Sequence, residues 1–300
     1  MKKQTKADLL LILATFFWGS SYILTKFGLD ELDPFHLSAL RFIIGFLVAA
    51  TALYPHLKNT NRQTLKYAAI FAIILTMVFA TQAYGILYTT VANAGFLISL
   101  TVIMVPVLSI FFLKEKPNSS TLFGVLLAFI GVILLTGIES LQFNIGDGLS
   151  LLCALLYAIH ILLMERVTKA VDAIALGIWQ LGFAGLFNII LALILEKPTF
   201  PHTTSTWIIV LFLAIFCTAI GFVVQCYAQQ YTNSTHTALI FSLEPVFSGS
   251  LAVLILHETL TTRGWIGAAL LISGTLASEL DILSLFPKKL PLNKTLPPQN

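Results

Sequence analysis

Apolar residues run continuously through most of the chain, interrupted by short polar segments, without the alternation typical of half-buried strands. Each run has about 20 residues, enough for a helix to cross a bilayer. Because lipid offers no water to the backbone, only helices and closed barrels span it. The pattern therefore predicts an all-α membrane protein with ten transmembrane helices, near residues 9–29, 36–54, 67–88, 92–113, 121–138, 148–164, 174–195, 207–227, 237–256 and 264–280.

The composition supports this fold class. Hydrophobic residues make up 57% of the chain and charged residues 10%, against roughly 25% charged residues in soluble domains. The mean hydropathy is +0.91. The first apolar run resembles a secretory signal because Lys2, Lys3 and Lys6 precede it, but it continues to Leu29 and can span a bilayer. We expect a retained first helix.

The basic residues predict the orientation. With the N-terminus in the cytoplasm, 13 of the 17 Lys and Arg lie on the cytoplasmic side, and only Lys197 and Arg263 fall in outer connections. This distribution follows the positive-inside rule. The sequence thus predicts a multi-pass protein of the cytoplasmic membrane with both termini inside the cell. Residues 285–300, rich in proline and lysine, are predicted to form a flexible cytoplasmic tail.

An internal repeat divides the chain. A shift of 143 residues gives 11 identities over the 48 positions from 84 to 131, and a shift of 139 places Trp18 over Tyr157 and Arg41 over Gln180. We therefore predict two five-helix repeats, 7–138 and 147–281. Because five is odd, the second repeat enters the membrane from the opposite side, as in the inverted repeats of secondary transporters. The pairs at the 143-residue shift include Tyr84/Tyr227, Tyr88/Tyr231, Thr89/Thr232, Ser99/Ser242, Leu100/Leu243, Glu115/Glu258, Gly124/Gly267 and Gly131/Gly274.

Short motifs recur in order along both repeats. They are Trp18-Gly19-Ser20-Ser21, Lys26, Pro34, Arg41, Leu113-Lys114-Glu115, Gly124 and Gly131 in the first, and Leu243-Glu244-Pro245, His257-Glu258, Gly267 and Gly274 in the second. On these motifs the chain resembles the EamA-type branch of the drug/metabolite transporter superfamily over roughly residues 7–281. The resemblance implies inverted repeats, a central substrate cavity and, frequently, export of amino acids, related metabolites or toxic compounds.

The two repeats differ at one motif. The first has Leu100-Thr101-Val102 where the second has Leu243-Glu244-Pro245. Since proline tends to kink a helix, we expect Pro106, slightly further along, to supply an equivalent kink in the first repeat.

Two aromatic residues near span centres are the first candidates for a substrate site. Trp18 and Tyr157 occupy repeat-equivalent positions and should approach each other near the bilayer midplane. Ordinary packing is the alternative. His160 lies one turn from Tyr157 and is predicted to line the same cavity, for substrate hydrogen bonding or proton coupling. A neutral histidine satisfied by a backbone carbonyl explains it equally well.

Charged residues within spans are the second set of candidates. Lys26 is explained by snorkelling beside nearby carboxylates, whereas Arg41 is deeper and is expected to meet an anionic substrate group or a gating carboxylate. Glu244 is a functional candidate because it is a carboxylate within a membrane span, although pairing with Gln225 or with freed backbone is as plausible. The predicted substrate-binding set is Trp18, Tyr22, Arg41, Tyr84, Tyr157, His160, Gln180, Tyr227 and Glu244.

Other features limit the function classes. The glycines of the fifth and tenth spans predict close helix packing and a possible homo-oligomer. The three cysteines sit in apolar runs without metal-ligand spacing, and the basic residues form no patch suited to nucleic acid. We expect no metal, cofactor, catalytic residue or nucleic-acid partner. A transporter of a small-molecule substrate is favoured over an intramembrane lipid-modifying enzyme, which would need converging catalytic groups. An uptake carrier of the same fold stays open.

Overall fold

A computed structural model describes residues 3–58, 60–112, 114, 117–136, 144–256 and 261–279. All regular secondary structure in these residues is helical, as predicted. The predicted tail at 285–300 and the motif residues Leu113, Glu115, His257 and Glu258 lie outside the described residues.

Helical segments occur at each of the ten predicted spans within the described residues. The helices are α1 (Lys3–Gly28), α2 (Pro34–Ala52), α3 (Tyr54–Lys58), α4 (Arg62–Tyr88), α5 (Val91–Ser99), α6 (Thr101–Phe112), α7 (Ser119–Thr136), α8 (Ile145–Val167), α9 (Ala173–Leu195), α10 (Thr204–Phe212), α11 (Gly221–Ala228), α12 (Ser234–Phe241), α13 (Glu244–Leu256) and α14 (Thr262–Glu279). A π-helical stretch, Leu213–Ile220, joins α10 to α11.

Seven of the described segments are long and apolar enough to cross a membrane. They are Lys3–Gly28, Pro34–Ala52, Arg62–Tyr88, Asn93–Phe112, Ile145–Val167, Ala173–Leu195 and Thr204–Ala228. Ser119–Leu135 is a shorter apolar helix. The ninth predicted span is divided into two shorter helices, α12 and α13, and the tenth, α14, carries Arg263 in its first turn. The count of ten spans therefore stays a prediction.

Polar side chains fix where several helices begin. Asn61, Asn144 and Asn233 each accept a hydrogen bond from a backbone amide in the first turn of α4, α8 and α12. Asp172 does the same at α9. Such caps satisfy donors that the helix itself leaves unpaired. The short polar segments of the sequence therefore act as helix boundaries.

The fourth and ninth spans are each two half-helices. One break falls at Leu100, between α5 and α6, and the other at Ser242 and Leu243, between α12 and α13. These positions are repeat-equivalent, and interrupted helices of this kind form binding sites in transporters. Pro106 lies within α6 and the break comes six residues earlier, at Leu100, so the expected kink at Pro106 stays a prediction.

Helix contacts follow a pseudo-twofold exchange of the repeats. The contact of α1 with α11 corresponds in the other repeat to the contact of α8 with α4. Two further contacts join repeat-equivalent helices to each other, α2 with α9 and α7 with α14. At the α7/α14 crossing, a Cβ on Gly124 would lie 2.5 Å from the Gly274 carbonyl oxygen, and a Cβ on Gly131 would lie 2.8 Å from that of Gly267. These glycines are thus used for close packing within one chain, and the possible homo-oligomer through the glycine-containing helices stays a prediction.

The loops gather at two ends of the bundle. At the first, called the Lys3 end, the Lys3 ammonium lies 5.7 Å from the Tyr231 ring and His56 Nδ1 lies 2.9 Å from an Asp172 oxygen. At the second, called the Pro34 end, the Glu31 carboxylate accepts hydrogen bonds from the His202 amide and from the Thr203 amide and hydroxyl. Successive long helices connect one end to the other.

Candidate functional site

A cavity of about 60 Å³ lies at the centre of the bundle, between the two broken spans. This is room for about four ordered water molecules. Residues of both repeats form its wall: Trp18, Ser21, Tyr22, Arg41, Val78, Phe79, Gln82, Ile98, Ser99, Thr101, Val102, Cys153, Tyr157, Phe222, Ala238, Phe241, Ser242 and Glu244.

Two glycines allow Trp18 to enter this space. A Cβ on Gly221 would lie 2.6 Å from Trp18 Nε1, so the indole can lie across the start of α11 only because that residue has no side chain. A Cβ on Gly19 would lie 3.1 Å from the Glu244 carbonyl oxygen, so α1 packs closely against the start of α13. Trp18 Nε1 donates a hydrogen bond of 2.7 Å to the Cys217 carbonyl in the π-helical stretch.

Aromatic rings form a continuous wall around Trp18. Its ring centroid lies 4.9 Å from that of Phe241, 5.3 Å from Phe222 and 6.2 Å from Tyr157. The ring centroid of Phe79, the repeat counterpart of Phe222, lies 5.9 Å from that of Phe222. The predicted approach of Trp18 and Tyr157 is therefore present, with the two rings in an edge-to-face arrangement that aromatic pairs favour.

Arg41 brings a positive charge to the cavity. Its side chain is 1% exposed, its Nε donates to Thr218 Oγ1 at 2.9 Å, and its guanidinium carbon lies 4.5 Å from the centre of the Phe79 ring. Its Nη2 is buried without a hydrogen-bond partner. A buried charge is costly unless it is paired. The Nη edge of Arg41 is thus available to an anionic group.

Glu244 brings a negative charge to the same cavity. It is the first residue of α13, where the helix dipole favours a carboxylate. Within the described residues its carboxylate has no hydrogen bond or ion pair. The alternative of pairing with Gln225 is wrong, because the Gln225 amide donates to Gln229 instead. Glu244 and Arg41 thus face one cavity without forming a salt bridge.

The cavity extends toward the Pro34 end and is closed toward the Lys3 end. Tyr22, Arg41 and Gln82 line it on the Pro34 side. Their repeat counterparts on the Lys3 side are fully buried and do not line it: Ile161, Gln180 and Gln225. The two halves therefore pack differently around their shared axis.

His160 and Gln180 lie behind the cavity wall, contrary to the prediction. His160 is fully buried, stacks on Tyr157 with ring centroids 5.8 Å apart, and has its Nε2 3.3 Å from Gln180 Oε1. Gln180 also donates to Cys226 Sγ at 3.1 Å. Ser21, the repeat counterpart of His160, lines the cavity, so the difference comes from how the two halves pack and not from helix periodicity.

Tyr84 and Tyr227 lie at opposite ends of the bundle and not in the cavity. The Tyr84 ring packs 6.0 Å from Phe35 at the Pro34 end. The Tyr227 ring packs 5.5 Å from Tyr231 and 5.9 Å from the Lys6 ammonium at the Lys3 end. The structure therefore brings together Trp18, Tyr22, Arg41, Tyr157 and Glu244 of the predicted set.

Several residues of the cavity and its surroundings lie outside the predicted set. Phe79 and Phe222 are identical residues at the 143-residue shift, so the repeat contained a signal for them. Thr218, which holds Arg41 from behind the wall, has no such signal, because its counterpart at this shift is Leu75. It sits in the π-helical stretch, whereas the equivalent third span is a regular helix. Such stretches are often found at functional sites.

One group of possible metal ligands occurs in the described residues, at the Pro34 end. Atoms of Asp33, His36 and Glu196 lie within 4.8 Å of one another. The Glu196 oxygens already accept hydrogen bonds from the Phe35 amide at 2.8 Å and the His36 amide at 3.0 Å. The group is therefore explained as a carboxylate that caps the start of α2.

Known proteins resemble this chain over nearly its whole length. An uncharacterized transporter of Archaeoglobus fulgidus is 32% identical over 280 residues, 93% of this chain and 88% of that relative. The uncharacterized transporter YetK of Bacillus subtilis is 29% identical over 287 residues, 91% and 87% of the two chains. A chloroplastic WAT1-related protein of Arabidopsis thaliana is 27% identical over 274 residues, 86% of this chain and 66% of that protein.

A solved crystal structure shares the fold. Its TM-score is 0.78 at 20% identity, and the match covers 92% of this chain and 98% of that one. The profile of the EamA-like transporter family matches twice, at residues 5–137 and 144–278. These names indicate transporters and not enzymes. The chain belongs to the EamA-like transporter family.

Proposed function

We propose that this protein is a secondary transporter that exports small amino acids or related zwitterionic metabolites across the cytoplasmic membrane by alternating access. The observation that carries the proposal is the pair of opposite charges in one aromatic-walled cavity. Arg41 and Glu244 both line it, and neither forms an ion pair with another described residue.

A zwitterion supplies both missing partners. Since Nε of Arg41 is held by Thr218, a carboxylate would meet the two Nη groups, the end-on form of the paired hydrogen bonds that guanidinium favours. An ammonium group would meet Glu244 and the faces of Trp18 and Tyr157, which attract cations. A solute with a single charge would leave one of the two protein charges unpaired. The volume of about 60 Å³ favours the smallest amino acids.

The direction of transport is inferred from the basic residues and the family, and its energy source from the sequence motifs. The basic residues favour a cytoplasmic location for the Lys3 end, and the family resemblance favours export. The sequence has no G-x-x-x-x-G-K-[ST] loop for ATP. A substrate gradient, protons or the membrane potential, worth about 2.3 kcal/mol per charge per 100 mV, would drive transport.

Counterflow in proteoliposomes tests the proposal. Vesicles loaded with unlabelled glycine, alanine or serine should accumulate the same labelled amino acid, and vesicles with Arg41→Gln protein should not. Glutamine is the residue at the repeat-equivalent position 180, so the control keeps a polar side chain without the charge. Failure of the wild-type protein to exchange any small neutral amino acid would refute the substrate class. Efflux against uptake, measured with vesicles of known protein orientation, separates an exporter from an uptake carrier.

A further inference from the structure

The half-helices α5 and α12 are repeat-equivalent but are buried to different extents. All eight residues of α12 are buried, whereas on α5 only Ala94 and Ile98 are buried among the residues whose side chains are described. A Cβ on Gly95 would meet nothing within 4 Å, while its counterpart Ala238 is 2% exposed. Thus α12 is buried more deeply at the Lys3 end than α5 is at the Pro34 end, although α5 still packs against α8.

A carboxylate from α8 holds the first turn of α12. Glu165 is 4% exposed and accepts hydrogen bonds from the Ser234 amide at 2.7 Å and from the Ser234 hydroxyl. Lys169, just beyond the end of α8, donates to its other oxygen at 3.2 Å. A carboxylate at this place satisfies a free helix amide and interacts favourably with the helix dipole. Glu165 therefore ties α12 to α8.

A second carboxylate, from α1, meets the same turn. Asp8 Oδ1 lies 3.3 Å from His236 Nε2, and both residues are nearly buried. The nearby cations Lys3 and Lys6 lie over tyrosine rings of the 227–231 segment, 5.7 and 5.9 Å from the ring centres. A carboxylate that lost its partner while buried would be strongly destabilised. The contact therefore favours the packed position of α12.

The Pro34 end lacks these contacts because the equivalent residues differ in chemistry. The counterpart of Glu165 is Lys26, which cannot accept a hydrogen bond from a helix amide, and the counterpart of His236 is Asn93. The counterpart of Asp8 is Asp147, which accepts from Thr89 at the end of α4. Within the described residues, no carboxylate holds α5. The chemical asymmetry matches the difference in packing.

We propose that Glu165 and Asp8 are gate residues of the transport cycle. With Ser234 and His236 they hold α12 against α8 and α1 and keep the Lys3 end closed. Both contacts break when that end opens, and α5 becomes more deeply buried at the other end. The proposal depends on membership of a transporter family and not on the identity of the substrate, so it can fail or hold independently of the proposed function.

Two introduced cysteines, one in each variant, report which end is open. Gly95→Cys reports on α5 and Ala238→Cys on the repeat-equivalent position of α12. The native cysteines are all buried, so the chain without a reporter gives the background. The reagent is a maleimide too bulky for the 60 Å³ cavity, applied to purified protein in detergent. In the wild-type background, Gly95→Cys should react fast and Ala238→Cys slowly.

Removing a gate charge should reverse this pattern. With Asp8→Asn or Glu165→Gln, we expect labelling of Ala238→Cys to rise about tenfold and that of Gly95→Cys to fall, as the equilibrium shifts by one lost charged contact. His236→Asn, which installs the residue of the other repeat, should act like Asp8→Asn and provides a second test if a carboxylate variant does not fold. Labelling does not require transported substrate.

The matched control is Glu31→Gln. Glu31 also caps a helix through a carboxylate, but at the Pro34 end and exposed to solvent, and its loss should leave both labelling rates unchanged. Unchanged labelling of Ala238→Cys in the folded gate variants would overturn the proposal. A parallel increase at both reporters would also overturn it, because it indicates general loosening and not an exchange of open ends.

Discussion

Replacing Thr218 by valine should weaken substrate binding without touching any residue that contacts the substrate. Valine has nearly the shape of threonine but cannot accept the hydrogen bond from Arg41 Nε, which measures 2.9 Å. Both residues are buried, with Arg41 1% and Thr218 0% exposed. The guanidinium would keep its contact with the Phe79 ring but lose the acceptor that sets its rotation. Thr218→Ser keeps an acceptor and is the matched control.

The size of the effect follows from the type of hydrogen bond. A bond to a charged group contributes about 1.5–3 kcal/mol, and each 1.4 kcal/mol is a factor of about ten in affinity. If the freed guanidinium must be reoriented on binding, affinity for a zwitterion should fall about 10- to 150-fold. The amide of the same amino acid has no carboxylate to place against Arg41, so its weaker binding should change little.

Equilibrium binding of labelled alanine and alaninamide to purified protein measures this difference. Thr218→Val should lose affinity for alanine selectively, and Thr218→Ser should retain most of it. Elution as a monodisperse peak in size-exclusion chromatography provides the folding control. Equal affinity of Thr218→Val and wild type for alanine would refute the positioning role of Thr218. An equal loss for both ligands would show that the substitution disturbs the whole cavity.

Three further predictions concern packing, pH and charge. Gly124→Ala places a methyl group 2.5 Å from the backbone of α14 and should destabilise the protein by about 1–3 kcal/mol. The control Gly95→Ala places its methyl group in open space and should not destabilise the protein in this way. Apparent Tm values in detergent compare the two variants. The pKa of Glu31 is lowered from 4.5 to about 2, because a threonine hydroxyl and a backbone amide at α10 donate to it. The stabilisation that the Glu31 carboxylate contributes is therefore complete above pH 4.5 and is lost as the pH falls toward 2. The Tm difference between wild type and Glu31→Gln should shrink over that range. A difference that grows as the pH falls would contradict the lowered pKa of Glu31. Arg41→Ala should impair transport more than Lys26→Ala at matched expression, since Arg41 is buried in the cavity and Lys26 is not. Equal losses of transport would contradict a special role for the buried Arg41.

The length of apolar runs and the internal repeat predict much of this fold. Runs near bilayer length can form only helices or closed barrels in lipid, and the 143-residue shift relates the breaks at Leu100 and Leu243. The shift of 139 residues predicts the meeting of Trp18 and Tyr157. The first signal is local and the second reflects the repeat symmetry, so both can be recognised in the sequence without knowledge of tertiary packing.

Other features of the site depend on contacts distant in sequence. Helix periodicity places His160 near Tyr157 but does not say which neighbouring helix each side chain faces. The bond between Arg41 and Thr218 joins residues 177 positions apart, and it depends on a π-helical stretch that no local pattern indicates. The bonds of Glu165 to Ser234 likewise span 69 residues. Such contacts follow from packing and cannot be inferred from spacing.

The central claim is that one cavity recognises both charges of a small zwitterion, and transport of charge-deleted analogues tests it most directly. Labelled alanine, alaninamide and propionate would be compared in proteoliposomes carrying wild-type, Arg41→Gln or Glu244→Gln protein. The wild type should prefer alanine. Arg41→Gln should lose this preference over alaninamide, and Glu244→Gln should lose it over propionate. If both variants keep the wild-type preference for alanine over its analogues, Arg41 and Glu244 do not recognise the substrate and the proposed site is wrong.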